Sequence, residues 1–362
     1  MPDRYNILNQ KPQVHISCST PGRMWLIFAC SFFVVLQSAL SDSGASLVVA
    51  LCALCPAVLT ELLITHRKEG FAKIKDGSAA ASAMVFALLL PNQIHPVYAV
   101  LGAAFAIVVV KHSFGGLGSN WLNPALGAWL FLRFSWPGAF SKALAGSPLE
   151  IVSESLRNGF VNPRNSPLGL IRLSGAGGFS GGGSSLDAAV SSFLNNTIFS
   201  VSGAELPSGY IDLLVSGTTP GIIADRGLLA LLLGTVVITV LQISRSWIPL
   251  VYLGLFGILV RIFGDLPFGG LLFNGDVLFA FFSGATLLTA FVLMAEPVTG
   301  AKSKVGIFFT VLLGAFLSWV FRYEGLEFYG ALFAAALVNA LTPAVRFFEG
   351  KWFYSRKQRR GQ

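Results

Sequence analysis

Apolar runs of membrane-spanning length recur along almost the whole of this sequence. They lie near 24–41, 45–65, 78–91, 96–111, 121–136, 227–244, 247–263, 273–294, 305–322 and 327–345. A helix of roughly 17 to 25 apolar residues crosses the hydrocarbon core of a bilayer, and shorter runs do so when paired or broken. With 54% hydrophobic residues, 12% charged residues and 31 Phe, the chain exceeds what a water-soluble domain keeps in solution. The expected fold is an all-α polytopic membrane protein of about ten transmembrane helices. The first run, Met24 to Leu40, is followed by many more and lacks a small-residue cleavage site, so it reads as a span and not as a removable signal.

A net charge of +8 raises the question of nucleic acid, but the basic residues sit at span ends and in the tail and form no single patch. With both termini on one side, one set of short loops holds Arg67, Lys68, Lys73, Lys75, Lys111, Arg245, Lys302 and Lys304, whereas the opposite set holds Arg261 and Arg322. The positive-inside rule then puts both termini in the cytoplasm, in a bacterial inner (cytoplasmic) membrane. Residues 347–362 become a basic cytoplasmic tail, and residues 137–225 a long outer loop. The bilayer is an expected partner; nucleic acid is not.

The spans divide into 1–136 and 226–346, five on each side of the loop. Ala79 to Pro91 and Ala285 to Pro297 are apolar runs of equal length, each entered through Gly and Ser and closed by proline. Phe114-Gly115-Gly116-Leu117 is echoed by Tyr323-Glu324-Gly325-Leu326. An odd number of spans per half makes the two halves inverted, and such repeats place sites where broken helices meet near the midplane. Chance similarity of two apolar stretches is the competing reading.

Within the loop, Ser174 to Ser184 has glycine spacings that resemble a phosphate cradle, but no strand leads into it, and it reads as a flexible linker. Leu186 to Phe199 and Gly209 to Val215 regain apolar residues, as short interfacial helices would. They lead into Ser216-Gly217-Thr218-Thr219-Pro220, which on composition alone is an ordinary turn. Cys18, Cys30, Cys52 and Cys55 read as small buried hydrophobes, and the scattered histidines suggest no metal site.

Four stretches together carry a resemblance. They are Lys111 to Gly118 with Asn123-Pro124-Ala125, the loop segment Ser216 to Pro220, Phe282-Ser283-Gly284-Ala285-Thr286, and Met294-Ala295-Glu296-Pro297-Val298-Thr299. In order and across ten runs, they make the chain similar to the RnfD/NqrB family, closest to the RnfD-type membrane subunit of the ion-translocating Rnf electron transport complex. The resemblance implies FMN joined through a phosphoester to a threonine of the outer loop by a flavin transferase. The position matching the acceptor is Thr219, with Ser216, Gly217 and Thr218 completing the motif; Thr218 stands where alanine is usual and offers a second hydroxyl. Ser283-Gly284-Ala285-Thr286 spells the usual acceptor motif better, yet it lies inside an apolar run that a soluble transferase does not reach. Buried Ser and Thr in a span bond backbone or pack as small residues. Contact of Ser283 and Thr286 with a second, noncovalent flavin is the option the resemblance adds.

Glu61, Asp76, Lys111, Asp276 and Glu296 fall at run ends, where snorkelling or interfacial solvation is the plain expectation. Glu296 precedes the helix-breaking Pro297, so it either belongs to an ion path or caps a helix, and Asn123 occupies the comparable break in the first half. The function implied by the resemblance is that of a flavin-carrying subunit, not catalytic alone. Its complex exchanges electrons between ferredoxin and NAD and exports Na+ or H+, with other Rnf-type subunits as partners. An Nqr-type quinone-reducing subunit and a solute channel or transporter of inverted repeats are the alternatives.

Overall fold

The computed structural model describes residues 19–66, 75–113, 115–116, 120, 122–145, 185–201, 209–215, 221–241, 245–268, 271–296, 300–324, 327 and 329–360. These residues are overwhelmingly helical, and the only strand-like pairing among them is a single bridge between Pro91 and Ile222. The helices are α1 (Thr20–Ser41), α2 (Ala45–His66), α3 (Ser78–Leu88), α4 (Pro96–Phe105), α5 (Pro124–Ser135), α6 (Pro137–Leu144), α7 (Ser185–Thr197), α8 (Tyr210–Val215) and α9 (Ile223–Arg226). They continue with α10 (Leu228–Val240), α11 (Trp247–Phe263), α12 (Val277–Phe281), α13 (Thr286–Leu288), α14 (Lys304–Trp319) and α15 (Gly330–Arg360). Three of them, α4, α13 and α14, run on as π-helical segments, Ala106–His112, Thr289–Leu293 and Val320–Glu324.

Local chemistry sets the helix starts. Ser19 caps α1 through Gly22 N at 3.3 Å, and Asn123 accepts from Ala125 N and Leu126 N at 2.8 and 3.3 Å ahead of Pro124. Ser303 caps α14 and Asp276 caps α12, each at 2.9 Å. Every one of these oxygens satisfies amides that a helix leaves unpaired at its first turn. Proline at the start of α1, α4 and α5 adds a φ already suited to a helix.

Among the described residues, four helices are long and apolar enough to cross a bilayer alone: α1, α2, α14 with its π extension, and α15. Shorter apolar helices, α3, α4 with its π extension, α10 and α11, pack among them. The outward faces carry large apolar side chains, with Leu63, Val240 and Leu250 each more than 70% exposed. Such a surface is stable against lipid, not water. Cys55 is exposed on α2, against the expectation of burial, because that flank of the helix faces outward where a thiol needs no partner.

One sequence expectation changes in kind. The run 273–294 is not one span: α12 ends at Phe281, Gly284 and Ala285 take positive φ of 68° and 58°, and α13 restarts at Thr286. Apolar composition alone did not reveal the break. The run 78–91 also stops early, at Leu88. Nearly every residue of α3 is enclosed by other helices, so its 11 residues, about 16 Å, need not reach both faces. The loop helices expected over Leu186–Phe199 and Gly209–Val215 are found as α7 and α8. The glycine-rich stretch 174–184 lies outside the described residues.

Close packing joins the first half of the chain to the second. α1 packs on α3 and also on α9 and α10, and Trp129 of α5 meets Phe333 of α15 edge to face at 4.9 Å. A Cβ on Gly227 would lie 2.5 Å from the carbonyl oxygen of Val34, so glycine lets the two backbones touch across the halves.

Candidate functional site

The loop motif Ser216, Gly217, Thr218, Thr219 lies outside the described residues, but both of its flanks are fixed. Before it, the buried Asp187 carboxylate accepts from Gly209 N and Ile211 N at 2.7 and 3.1 Å, seating the start of α8. The Tyr210 hydroxyl donates to Asp276 at 2.5 Å. After it, Asn92 N donates to Gly221 O at 3.0 Å and Ile223 N to Leu90 O at 3.0 Å. One side chain serves both flanks: Gln37 Nε2 donates to Leu214 O and Val215 O at 3.2 and 3.4 Å, and its Oε1 accepts from Ala230 N at 2.7 Å. The same end of α1 carries Asp42, which accepts from Ser46 N at 3.1 Å and Asn92 Nδ2 at 3.3 Å and pairs with Arg226 at 3.9 Å.

The helix break between α12 and α13 is clamped from two sides. Asp225 accepts from Gly284 N and Ala285 N, both at 2.9 Å. Arg322, 2% exposed, donates to Ala280 O, Ser283 O and Thr286 Oγ1 at 3.0 to 3.2 Å and to Ser283 Oγ at 2.6 Å. Its guanidinium also lies 5.8 Å from the ring centres of Phe279 and Tyr323. The Ser283 and Thr286 hydroxyls each donate to backbone, to Phe279 O and Ser283 O, as buried hydroxyls in a span do. Arg322, taken from sequence as an outer-loop cation, is instead enclosed within the π segment Val320–Glu324, because the broken helix offers it free carbonyls.

Asn123 and Glu296 meet. Asn123 Nδ2 donates to Glu296 Oε2 at 2.5 Å while its Oδ1 caps α5, so one amide ties a helix start in the first half to the residue before Pro297 in the second.

A third polar group lies between α2, α3 and the π segment of α4. Lys111 Nζ donates to Glu61 Oε1 at 2.9 Å and to Ser78 Oγ at 2.7 Å. His112 Nε2 lies 2.8 Å from Glu61 Oε2, and Asp76 Oδ1 accepts from Ser78 N and Oγ at 2.8 and 2.7 Å. Glu61 and Lys111 are 1% and 2% exposed. The expectation of snorkelling to the interface is therefore corrected for these two: each charge finds its partner inside the bundle, where water competes least.

A model of the NQR2, RnfD, RnfE family matches residues 7–353, nearly the whole chain. The chain belongs to that family. Among similar proteins, the D-type subunit of the proton-translocating ferredoxin:NAD(+) oxidoreductase complex of Clostridium ljungdahlii is 27% identical, over 94% of this chain and 94% of its own. The D-type subunit of the ion-translocating oxidoreductase complex of Aeromonas hydrophila is 30% identical over 92% and 94%, and the protein of the same description from Alcanivorax borkumensis is 31% identical over 78% and 77%.

In this NQR2, RnfD, RnfE family member, residues singled out from sequence meet in three described groups: Asn123 with Glu296, Ser283 with Thr286 under Arg322, and Glu61 with Lys111 and Asp76 around Ser78. Sequence reasoning missed Asp225 and the interior role of Arg322. A charge at the end of the apolar run 305–322 was the available signal for Arg322; nothing local marked Asp225.

Proposed function

We propose that the chain is the flavin-carrying membrane subunit of an Rnf-type complex, with FMN held as a phosphoester on the Thr219 hydroxyl at the outer face of a bacterial inner membrane. The complex would pass electrons between ferredoxin and NAD and export Na+ or H+. Relatives similar over nearly their full length are described as the D-type component of ion-translocating oxidoreductases, one of them acting on ferredoxin and NAD(+), and this supports the reading.

The observation that carries the proposal is the anchoring on either side of residues 216–220. Val215 is held by Gln37, and Gly221 by Asn92. Both anchors belong to the end of the molecule where α1 finishes, which the distribution of Lys and Arg assigns to the exterior. Two fixed points with five residues between them give an attachment that limits where a tethered group travels, which raises its effective concentration at a partner face. The flavin supplies the redox chemistry; this chain's residues supply position. Asp187, Tyr210 and Asp276 hold the approach to the motif, and Asn92, Asp42 and Arg226 hold its exit. The other members of the complex and a flavin transferase are the partners this reading requires.

In-gel fluorescence of the denatured chain, coexpressed with the transferase, tests it. The native chain and Thr218→Ala are expected to fluoresce and Thr219→Ala to be dark; a dark native chain, or a bright Thr219→Ala, overturns the assignment.

A further inference from the structure

A cavity of about 580 Å³ opens between the start of α1, the approach to α11 and the approach to α14, at the end of the bundle opposite the loop motif's anchors. Arg23, Arg245 and Lys302 line it, together with Trp247, Met294 and Glu296. Each of the three cations stands at a helix end. Arg23 is in the first turn of α1, Arg245 lies two residues ahead of α11, and Lys302 two residues ahead of α14. They therefore share one level along the bundle, on the side that the charge distribution assigns to the cytoplasm.

Among the described residues that line it, cations outnumber carboxylates. With the three cations, the described lining includes one carboxylate, Glu296, which accepts from Asn123. Arg346 adds a further cation beside it, donating to Gly300 O at 2.7 Å, and Glu349 faces the same loop, accepting from Ser303 N at 3.2 Å. Burial, and then the like charges of Arg346 and Arg245, lower the Lys302 pKa, with Glu349 acting in the opposite sense. An anion bound here relieves that repulsion. Ile248 and Ile307 line part of the wall beside Thr239, Ser246 and Thr310, and Val240, Leu241 and Leu250, at the end of α10 and the start of α11, are exposed. Trp247, the first residue of α11, also lines the cavity, and such amphipathic rings are enriched at membrane interfaces.

We propose that this cavity binds the phosphodiester headgroup of an acidic phospholipid, with its acyl chains lying on the apolar flank of α10 and α11. Cationic pockets between spanning helices at the inner leaflet match acidic headgroups. The exposed apolar side chains of the neighbouring helix ends favour a lipid over a soluble phosphate, which gains nothing from them. The site shares no residue with the loop motif; Glu296 is common to it and to the contact with Asn123.

The test is thermal unfolding of the delipidated, detergent-solubilised full chain within its complex, titrated with dioleoylphosphatidylglycerol, dioleoylphosphatidylcholine or glycerol 3-phosphate. Saturable stabilisation by the phosphatidylglycerol alone is expected. The double variant Arg245→Gln/Lys302→Gln raises the half-saturating concentration roughly thirty-fold, two surface cations being removed. Arg245→Lys/Lys302→Arg retains binding, and Arg261→Gln, at the far end of α11, leaves it unchanged. Equal stabilisation by both lipids, an unaltered double variant, or glycerol 3-phosphate matching the phosphatidylglycerol overturns the proposal. If the double variant does not fold, Arg23→Gln is read in its place, with weakened binding expected and unchanged binding overturning the proposal.

Discussion

At the scale of single residues, the ion pair of Glu61 and Lys111 shows what a buried charge requires. Taking both from water costs several kcal/mol, which their mutual attraction and the hydrogen bonds with Ser78 and His112 offset. Removing one partner leaves the other charged and enclosed. Glu61→Gln or Lys111→Met alone is therefore expected to destabilise the chain by about 3 to 5 kcal/mol, and the double variant by less than the sum. Thermal unfolding of the purified complex checks this, and simple additivity would show that the pair does not act as one. The sequence revealed each residue as an ionisable group at the end of an apolar run, but not the pairing. Fifty positions separate them, and only the folding of α3 between their helices brings the Ser78 hydroxyl to the lysine.

At the scale of elements, caps were legible and the break was not. Asn123-Pro124 marks the start of α5 in a way any reader of helix signals recognises, and the structure adds that the same amide reaches Glu296. The interruption at Ser283 to Thr286 was hidden by its surroundings, since apolar neighbours make a broken helix and a continuous one look alike. Its signature, glycine after a small hydroxyl residue, becomes meaningful only with Arg322 and Asp225 in place to satisfy the freed backbone. Arg322→Met is expected to cost about 3 to 5 kcal/mol by leaving several buried acceptors unpaired. Arg322→Lys recovers little of this, because one ammonium cannot reproduce a planar fork reaching four oxygens. Thermal unfolding of the two variants side by side decides it, and full rescue by lysine would show that charge alone suffices.

At the scale of the whole molecule, the polytopic helical class was readable from composition, because no other environment tolerates so much exposed apolar surface. The interlocking of the first and second halves was not, since contacts such as Trp129 with Phe333 join residues far apart in the chain. Gln37 is the clearest instance, a helix α1 side chain that ties the end of α8 to the start of α10. Gln37→Leu is expected to release both flanks of residues 216–220 at a cost of about 1 to 2 kcal/mol. Limited proteolysis would then cut the 209–227 region faster than in the native chain while the spanning helices stay intact; an unchanged rate would mean that the flanks are secured without it.

The contact at Gly227 has a mechanical meaning. Where one backbone rests directly on another, with no side chain to act as a cushion, any side chain added at the contact has to push the two apart. A joint of that kind leaves no slack at this point between the end of the outer loop and the first spanning helix.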